Sequence, residues 1–190
     1  RRDEVPWSIS WSGGKDSTAM LSIVFQALKE LKDDSSEKLH KKVHVLTVNT
    51  GVENPIIEKH IKNNLKQINQ TSEELALPIK AVEVTPKTEE TFWSLMIGKG
   101  YLSPRSYFRW CTDRLKIKPA TKFIEDKIEK NGEVIVLLGV RQGESTSRDK
   151  VLSNGKYEGK ILRRHNTMQN AYTFAPIENF NLNDVWFALL

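Results

Sequence analysis

The sequence predicts an α/β fold in which helices flank a mostly parallel sheet. Apolar runs typical of strands alternate along the chain with segments of helical periodicity, which is the pattern of βαβ units. The run at residues 43–48 is β-branched and nearly continuous, as strands buried on both faces are. A length of 190 residues suits one domain with a real core. We therefore expect residues 1–190 to form a single domain.

The strands are predicted from apolar runs that end at turn residues. The first run is followed by a polar turn with two adjacent glycines, and the second by Asn49-Thr50-Gly51. Pro78 restarts extended chain before the third run, and Asn131-Gly132 forms a turn before the last. The predicted strands are residues 5–11, 43–48, 79–84 and 133–138.

The helices are predicted from apolar positions three or four residues apart and from the signals at their ends. Pro55 opens the second helix, Thr88 caps the third and Gly98 closes it. The stretch 101–114 has no clean period and is predicted to be a loop. The predicted helices are residues 16–31, 55–74, 88–97 and 119–130.

The chain ends within a further predicted helix. Asn183 and Asp184 supply capping residues at its start, whereas no C-terminal cap precedes Leu190. We therefore expect the natural protein to continue past Leu190.

Composition limits the classes of function. No apolar run approaches the roughly 20 residues of a membrane span, so no membrane partner is expected. The single cysteine, Cys111, excludes internal disulfides and favours a reducing cytoplasm. The net charge is +5, and the cations concentrate in residues 105–118 and 141–164. This bias suits a polyanionic partner, although a solvated basic surface explains most individual lysines equally well.

The string Ser12-Gly13-Gly14-Lys15-Asp16-Ser17 is the strongest functional signal. It follows the first predicted strand and opens a helix, an arrangement that directs backbone N–H groups and the positive helix end at an anion. The glycines allow close approach to a phosphate, and Lys15 adds a cation. The string differs from a Walker A loop because Asp16 follows the lysine. It resembles the PP-loop of ATP pyrophosphatases, which cleave ATP between the α and β phosphates.

Two further polar clusters follow predicted strands and are expected at the same edge of the sheet. Asn49, Thr50 and Gly51, with Glu53 and Asn54 after them, are placed to contact a ribose or adenine. The alternative, equally favoured for each residue alone, is an ordinary turn with a capping asparagine.

The cluster after the fourth strand contains Gly139, Arg141 and Glu144. An arginine at a strand exit can approach phosphate, and Glu144 could orient it or help to hold Mg²⁺. The alternative is a surface ion pair between Glu144 and Arg148, which would contribute only a few tenths of a kcal/mol. We favour the functional interpretation for Gly139 and Arg141. No set of metal-ligating residues is predicted from the sequence.

Cys111 lies among cations in a fourth cluster. Arg109, Arg114 and Lys116 could favour its thiolate, so catalytic and packing roles are equally open. Trp110 is more typical of a core residue. A basic loop with Tyr107, Phe108 and Trp110 is also how proteins bind single strands.

Several strings together resemble one superfamily. The chain is similar to the phosphoadenosine phosphosulfate (PAPS) reductase superfamily and, within it, to the DndC and SspD families of DNA phosphorothioation sulfurtransferases. That resemblance implies the PP-loop, adenine nucleotide α-hydrolase-like fold. The matching strings are residues 12–17, 49–55, 108–119, 138–145, 162–165 and 176–186.

The resemblance also implies an activity. ATP with Mg²⁺ would activate a non-bridging oxygen of a DNA backbone phosphate by adenylation, and sulfur from a cysteine desulfurase would replace it. The implied partners are DNA, the sulfur donor and other phosphorothioation proteins. DndC-like proteins carry an iron–sulfur cluster, which would require cysteines outside this chain.

Site residues follow from the motif positions. Lys15, Asp16, Arg141 and Cys111 are the implied catalytic residues. The implied nucleotide-binding residues are Ser12, Gly13, Gly14, Lys15, Asp16, Ser17, Asn49, Thr50, Gly51, Gly139 and Arg141.

Three alternatives remain open. A PAPS reductase would reduce a sulfonucleotide, and an ATP sulfurylase small subunit shares the loop but uses sulfate. The third alternative is a module that binds nucleotide or DNA without catalysis.

Overall fold

The computed structural model describes residues 4–34, 39–145, 152 and 161–190. Six strands of this part of the chain form one sheet in the order β3-β2-β1-β4-β6-β5. The neighbouring strands are parallel, apart from the antiparallel pair β5 and β6. The predicted α/β fold with a mostly parallel sheet is therefore confirmed. The strands are β1 (Trp7–Ser10), β2 (Val43–Val48), β3 (Ile79–Val84), β4 (Val134–Leu138), β5 (Arg163–Arg164) and β6 (Ala171–Phe174).

Four α-helices accompany the sheet in the described residues. The second predicted helix has the predicted bounds, because Pro55 occupies its first turn and the Asn54 side chain caps it by accepting a 2.9 Å hydrogen bond from Ile56 N. The first helix is longer than predicted, and Leu31, which ends its apolar stripe, is exposed. The helices are α1 (Lys15–Asp34), α2 (Pro55–Glu74), α3 (Lys118–Asn131) and α4 (Leu182–Phe187).

The predicted helix at 88–97 is two separate turns. A 3-10 turn covers Thr88–Glu90, and a wide π-helical turn covers Ser94–Gly98. Thr91 has an extended backbone and interrupts them. Thr88 does not cap a helix through its side chain; its carbonyl oxygen instead accepts hydrogen bonds from the hydroxyls of Thr91 and Ser94. Because Thr91 interrupts the segment, the prediction of one continuous helix over residues 88–97 is wrong.

The predicted loop at 101–114 is wrong in its last residues. Helical structure begins at Trp110, continues as a π-helical turn over Thr112–Ile117 and runs directly into α3. Pro119 has no N–H to donate to the preceding turn, which accounts for the irregular hydrogen bonding there. Trp110 and Leu115 are buried, as the packing interpretation of Trp110 predicted.

The last helix starts earlier than predicted. Asn181 is its N-cap, and the Asn181 side chain and Asp184 form a reciprocal capping box. The polar stretch before it also contains the short strands β5 and β6, which the sequence did not predict as strands. Residues 146–151 and 153–160, including much of the second basic stretch and Arg148, lie outside the described residues.

Both faces of the sheet are covered. Ile9, Val45 and Leu137 lie in one cross-strand row and pack with α1 residues such as Met20 and Leu28. On the opposite face, Ile124 of α3 joins a smaller core; its other buried members are Val134, Val136, Met168 and Ala171. Burying each large apolar side chain contributes about 1.5–3 kcal/mol, so the two cores fix the sheet between the helices. Among the described helices, none has the length and apolar character that crossing a membrane requires.

Candidate functional site

The loops after β1 and β4 meet at the centre of the sheet. Ser10 pairs with Leu138 at the carboxyl ends of these adjacent parallel strands. From this pair, the sheet continues through β2 and β3 on one side and through β6 on the other. Such a switch point leaves a crevice at the carboxyl ends of the strands, where open α/β sheets bind ligands. The Ser12–Ser17 and Gly139–Arg141 segments therefore belong to one site.

The loop between β1 and α1 is closed around Ser17. The Ser17 hydroxyl donates to Gly14 O at 3.0 Å, and Ser17 Oγ accepts from Ser12 N at 3.3 Å. The Ser12 hydroxyl lies 3.2 Å from Ser17 Oγ. Gly13 has a φ of +75°, a conformation that strongly favours glycine. The two serines thus shape the loop by bonding within it, in addition to any role toward a ligand.

The first amides of α1 lie at the carboxyl end of β1, before the hydrogen-bond ladder of the helix begins. The first hydrogen bond of the helix runs from Thr18 N to Gly14 O at 3.0 Å. The N–H groups of Lys15, Asp16 and Ser17 precede that bond and have no acceptor within the helix. Together with the helix dipole, they form a site suited to an anion.

Asp16 joins two cations behind this loop. Its Oδ1 accepts a 2.6 Å hydrogen bond from Arg141 Nε, and its Oδ2 accepts a 2.9 Å bond from Lys15 Nζ. The Asp16 and Arg141 side chains are about nine-tenths buried, whereas the Lys15 side chain is 36% exposed. The structure therefore brings together three of the four predicted catalytic residues.

The electrostatics keep Asp16 ionised. Burial acts to raise the pKa of its carboxyl, but the hydrogen bonds and charges of Lys15 and Arg141 outweigh burial and lower the pKa. With one anion between two cations, the group has a net charge of about +1, which complements a phosphate.

Gly139 lets β4 end against the start of α1. A Cβ at position 139 would lie 2.8 Å from Ser17 Cα and 3.0 Å from Ser17 N, closer than a side chain can be placed. The absence of a side chain thus has a packing reason at this position. Gly139 sets the distance between the two loops that carry Asp16 and Arg141.

The cluster after β2 forms a turn whose polar groups largely bond one another. Thr50 Oγ1 donates to Glu53 Oε1 at 3.0 Å, and Gly51 N donates to Asn49 Oδ1 at 2.9 Å. Asn49 Nδ2 donates to Glu83 of β3 at 3.1 Å. Asn54 caps α2, so the alternative of a capping asparagine is correct for this residue.

Cys111 lies on a different element from the group around Asp16. It is half-exposed and occupies the helical turn that begins at Trp110. Glu53 connects the Cys111 turn to the loop after β2, because its carboxylate accepts from Thr50 and lies 4.0 Å from Lys116 Nζ.

The comparisons with known proteins agree with this architecture. Residues 6–190 match the phosphoadenosine phosphosulfate reductase domain. The chain belongs to this family. It is also similar in structure to PAPS reductase from Candida auris, solved as a phosphate complex, with a TM-score of 0.56 and 12% identity over 96% of this chain and 70% of that one. At this identity, the structural likeness concerns the fold.

Two curated relatives of this PAPS reductase domain are longer proteins. The uncharacterized protein MJ0066 of Methanocaldococcus jannaschii is 26% identical over 97% of this chain. The uncharacterized nin region protein ORF290 of Escherichia phage lambda is 25% identical over 72% of this chain. The matches span only 31% and 48% of these relatives. They support the superfamily but not the DndC or SspD families in particular.

Sequence reasoning missed the residues that support Arg141 in this PAPS reductase-like nucleotide-binding domain. Arg141 Nη1 is 3.5 Å from Phe180 O, and the next residue, Gln142, donates its N–H to Glu178 O at 2.9 Å. Arg163 of β5 donates to Glu178 Oε2 at 2.6 Å from a side chain that is 7% exposed. Arg163 belonged to a matching string, but nothing local to it indicated a partner 15 positions later.

The resemblance implies two inorganic groups, an iron–sulfur cluster and Mg²⁺, and they make different demands on the residues of this domain. Among the described residues, no group of three or more His, Cys, Asp or Glu side chains could hold a metal ion. The one cysteine of the chain cannot hold an iron–sulfur cluster, which takes about four thiolates. Mg²⁺ differs from a resident cluster because it commonly binds through the phosphates of a nucleotide and several waters and needs few protein ligands.

Proposed function

We propose that this domain binds MgATP on the Ser12–Ser17 loop and cleaves it between the α and β phosphates. The adenylyl group activates a non-bridging oxygen of a DNA backbone phosphate, which sulfur then replaces. The observation that carries the proposal is the Lys15–Asp16–Arg141 group directly behind the amides that start α1.

The chemistry requires positive charge where the leaving group forms. An acceptor oxygen bonds to the α phosphorus, the bond to the bridging oxygen breaks, and pyrophosphate leaves. The N-terminal amides of α1 and Lys15 are placed to stabilise that developing charge. Asp16 holds the two cations in place, and Arg141 adds its charge from beneath the loop. A sulfur nucleophile then attacks the adenylated acceptor, and AMP leaves.

The acceptor and the sulfur donor are proposed from charge and from the resemblance. Residues 99–118 contain six cations and one carboxylate, a balance suited to a polyanion such as DNA. Sulfur would come from the persulfide of a cysteine desulfurase or a similar donor, and the Cys111 thiolate would take it up as a persulfide while the donor thiolate leaves. After the terminal sulfur has displaced AMP from the acceptor, a separate thiol reductant attacks Cys111 Sγ, forms a disulfide with it and releases the phosphorothioate. We place the reaction in the cytoplasm because the chain has a single cysteine. The resemblance adds other phosphorothioation proteins as partners.

A second candidate function is the reduction of a sulfonucleotide or the activation of sulfate. The match to the PAPS reductase domain over residues 6–190 favours it. Product formation that depends on PAPS or sulfate, and not on DNA, would select this candidate over phosphorothioation.

The test is product analysis with labelled MgATP and DNA. Lys15→Ala and Asp16→Ala should each lower AMP and pyrophosphate release by about tenfold to a hundredfold, because a charged phosphate contact or its support is worth about 1.5–3 kcal/mol. Lys29→Ala, at an exposed position of α1, should release both products at the wild-type rate. Release of ADP and orthophosphate, or unchanged rates in both site variants, would contradict the proposal.

A further inference from the structure

A stack of aromatic rings supports the segment before α3. Trp110 stacks on Phe92 with ring centroids 5.5 Å apart and an interplanar angle of 23°, and Tyr101 meets Trp110 edge-on at 5.3 Å. The Trp110 indole also donates to Leu102 O at 2.8 Å. These contacts hold residues 101–110 on a rigid base, so the side chains they present are preorganised.

The outward side of this segment, which we call the aromatic surface, consists of the exposed side chains of Leu102, Tyr107 and Phe108, with the half-buried Tyr101 ring beside them. Tyr107 is 80% exposed and Phe108 is 44% exposed. The Arg105 guanidinium donates to the Tyr107 hydroxyl at 3.1 Å, which steadies that ring in its exposed position. An open groove of about 460 Å³ is lined by the Tyr101, Phe108 and Trp110 rings and by Asp113 and Arg114.

Cations surround the aromatic surface. Arg105, Arg109 and Arg114 lie within or beside it, whereas Asp113 is the one carboxylate of residues 99–118. Arg114 approaches Asp113 at 3.9 Å and Glu90 at 3.6 Å. The excess of positive charge in this segment is as large as the net charge of the whole chain, +5. A polyanion is the complementary partner.

We propose that the aromatic surface binds a single strand of nucleic acid. Bases stack on Tyr107 and Phe108, and backbone phosphates pair with Arg105 and Arg109. Exposed rings favour a single strand over a duplex, because duplex bases are stacked on one another and offer no free face. The cation excess favours a polynucleotide over an apolar protein partner. The inference rests on the proposed function only in taking a nucleic acid as the acceptor.

The aromatic surface is connected to the candidate nucleotide site. The helical turn that carries Trp110 continues to Lys116, whose Nζ lies 4.0 Å from Glu53 Oε1. Glu53 in turn accepts from Thr50 at the carboxyl end of β2. The element that follows the aromatic surface thus contacts the carboxyl end of β2, at the edge of the sheet where the nucleotide is expected.

Binding of fluorescein-labelled oligothymidylate, measured by anisotropy without ATP, tests the inference. Tyr107→Ala and Phe108→Ala should each weaken binding by about fivefold to a hundredfold, the range for loss of one stacked base. Tyr107→Phe keeps the ring and should retain most of the affinity. Arg109→Ala should weaken binding and reduce the dependence of log K on log salt by about one phosphate contact.

Matched controls separate stacking from general effects. Phe187→Ala removes an aromatic side chain that is 84% exposed on α4, and Lys66→Ala removes an exposed cation of α2; neither should change binding. A duplex of equal length should bind more weakly than the single strand, and oligouridylate distinguishes RNA from DNA as the preferred strand. Equal affinity for duplex, or unchanged binding in both Tyr107→Ala and Phe108→Ala, overturns the inference. Absence of oligonucleotide binding at low salt also overturns the inference, and a protein would then be the remaining partner for the aromatic surface.

The two proposals fail separately. Lys29→Ala, at an exposed position of α1, should keep wild-type oligonucleotide affinity and wild-type AMP release, and so serves as the common control. If oligonucleotides bind as described but no AMP is released, only the proposed function is wrong. If AMP is released with an acceptor while the aromatic surface does not bind single strands, only this inference is wrong.

Discussion

Single residues set the geometry between the two loops of the candidate site. Gly139 allows the backbone of β4 to end against Ser17, and Asp16 holds Arg141 through a 2.6 Å hydrogen bond. Both contacts connect the same pair of elements, the end of β4 and the first turn of α1. A change at either residue should therefore affect stability and nucleotide binding together.

Gly139→Ala tests the close approach. The new Cβ would meet Ser17 backbone atoms that cannot move aside alone, so the free energy of unfolding should fall by about 1–3 kcal/mol. Urea denaturation measures the change. Gly98→Ala is the matched control, because no atom lies within 4 Å of its Cβ position, and it should stay within about 0.5 kcal/mol of wild type. Equal stability of the two variants would show that the contact at position 139 is relaxed at little cost.

At the scale of elements, β5 and the segment after β6 hold the loop that carries Arg141. The Glu178 carboxylate accepts a hydrogen bond from the Arg163 side chain, and the Glu178 carbonyl oxygen accepts one from the N–H of Gln142. The Arg163 and Glu178 side chains are 7% and 13% exposed. An ion pair this well buried is costly to break from one side, because the remaining charge is left without a counter-ion.

Glu178→Gln should lower the free energy of unfolding by about 3 kcal/mol, since Arg163 keeps its charge in a buried position. Glu58→Gln is the matched control: Glu58 and Lys62 also lie 2.6 Å apart, but on the exposed surface of α2, so the unfolding midpoint should hardly change. Hydrogen exchange should also speed up in residues 139–145 of Glu178→Gln. If hydrogen-exchange protection of residues 139–145 does not change, the Arg163–Glu178 ion pair does not support the loop that carries Arg141.

For the whole molecule, positive charge collects on the sheet face that α3 covers. His44 of β2 packs edge-on against Phe123 of α3 at 5.7 Å, and its Nδ1 has no hydrogen-bond partner among the described residues. Burial, followed by the charges of Lys127, Lys42 and Lys80, lowers the pKa of His44 to about 4. Protonation of His44 at acid pH would add positive charge to a chain whose net charge at pH 7 is already +5.

The pKa of His44 predicts acid sensitivity. Between pH 6.5 and about 4, the unfolded chain binds a proton at this histidine and the folded chain does not, so stability is complete above pH 6.5 and falls toward pH 4. After allowance for partial exposure, the loss is on the order of 1–2 kcal/mol. His44→Gln should flatten urea stability measured across this window, whereas His60→Gln, at an exposed position of α2, should keep the wild-type slope. His165, whose pKa burial also lowers, adds a loss in the same direction and remains in both variants. Identical slopes in both variants would contradict the assignment to His44.

The sequence by itself determined the fold class, the bounds of β2, α2 and β3, and the loop that opens α1. These features depend on local properties: apolar periodicity, the proline and asparagine that start α2, and the glycines between β1 and α1. Local signals failed where hydrogen bonding is irregular, as at Thr88–Glu90 and in the turn from Trp110 to α3.

Only the tertiary structure decided which distant residues meet. Arg141 and Asp16 are 125 positions apart, and their contact exists because β4 lies beside β1 in the sheet. The same is true of Gly139 against Ser17, of Arg163 with Glu178 and of the rings around Trp110. Periodicity and turn chemistry act over a few residues, whereas these contacts follow from the order of strands, which is fixed by the packing of the whole chain.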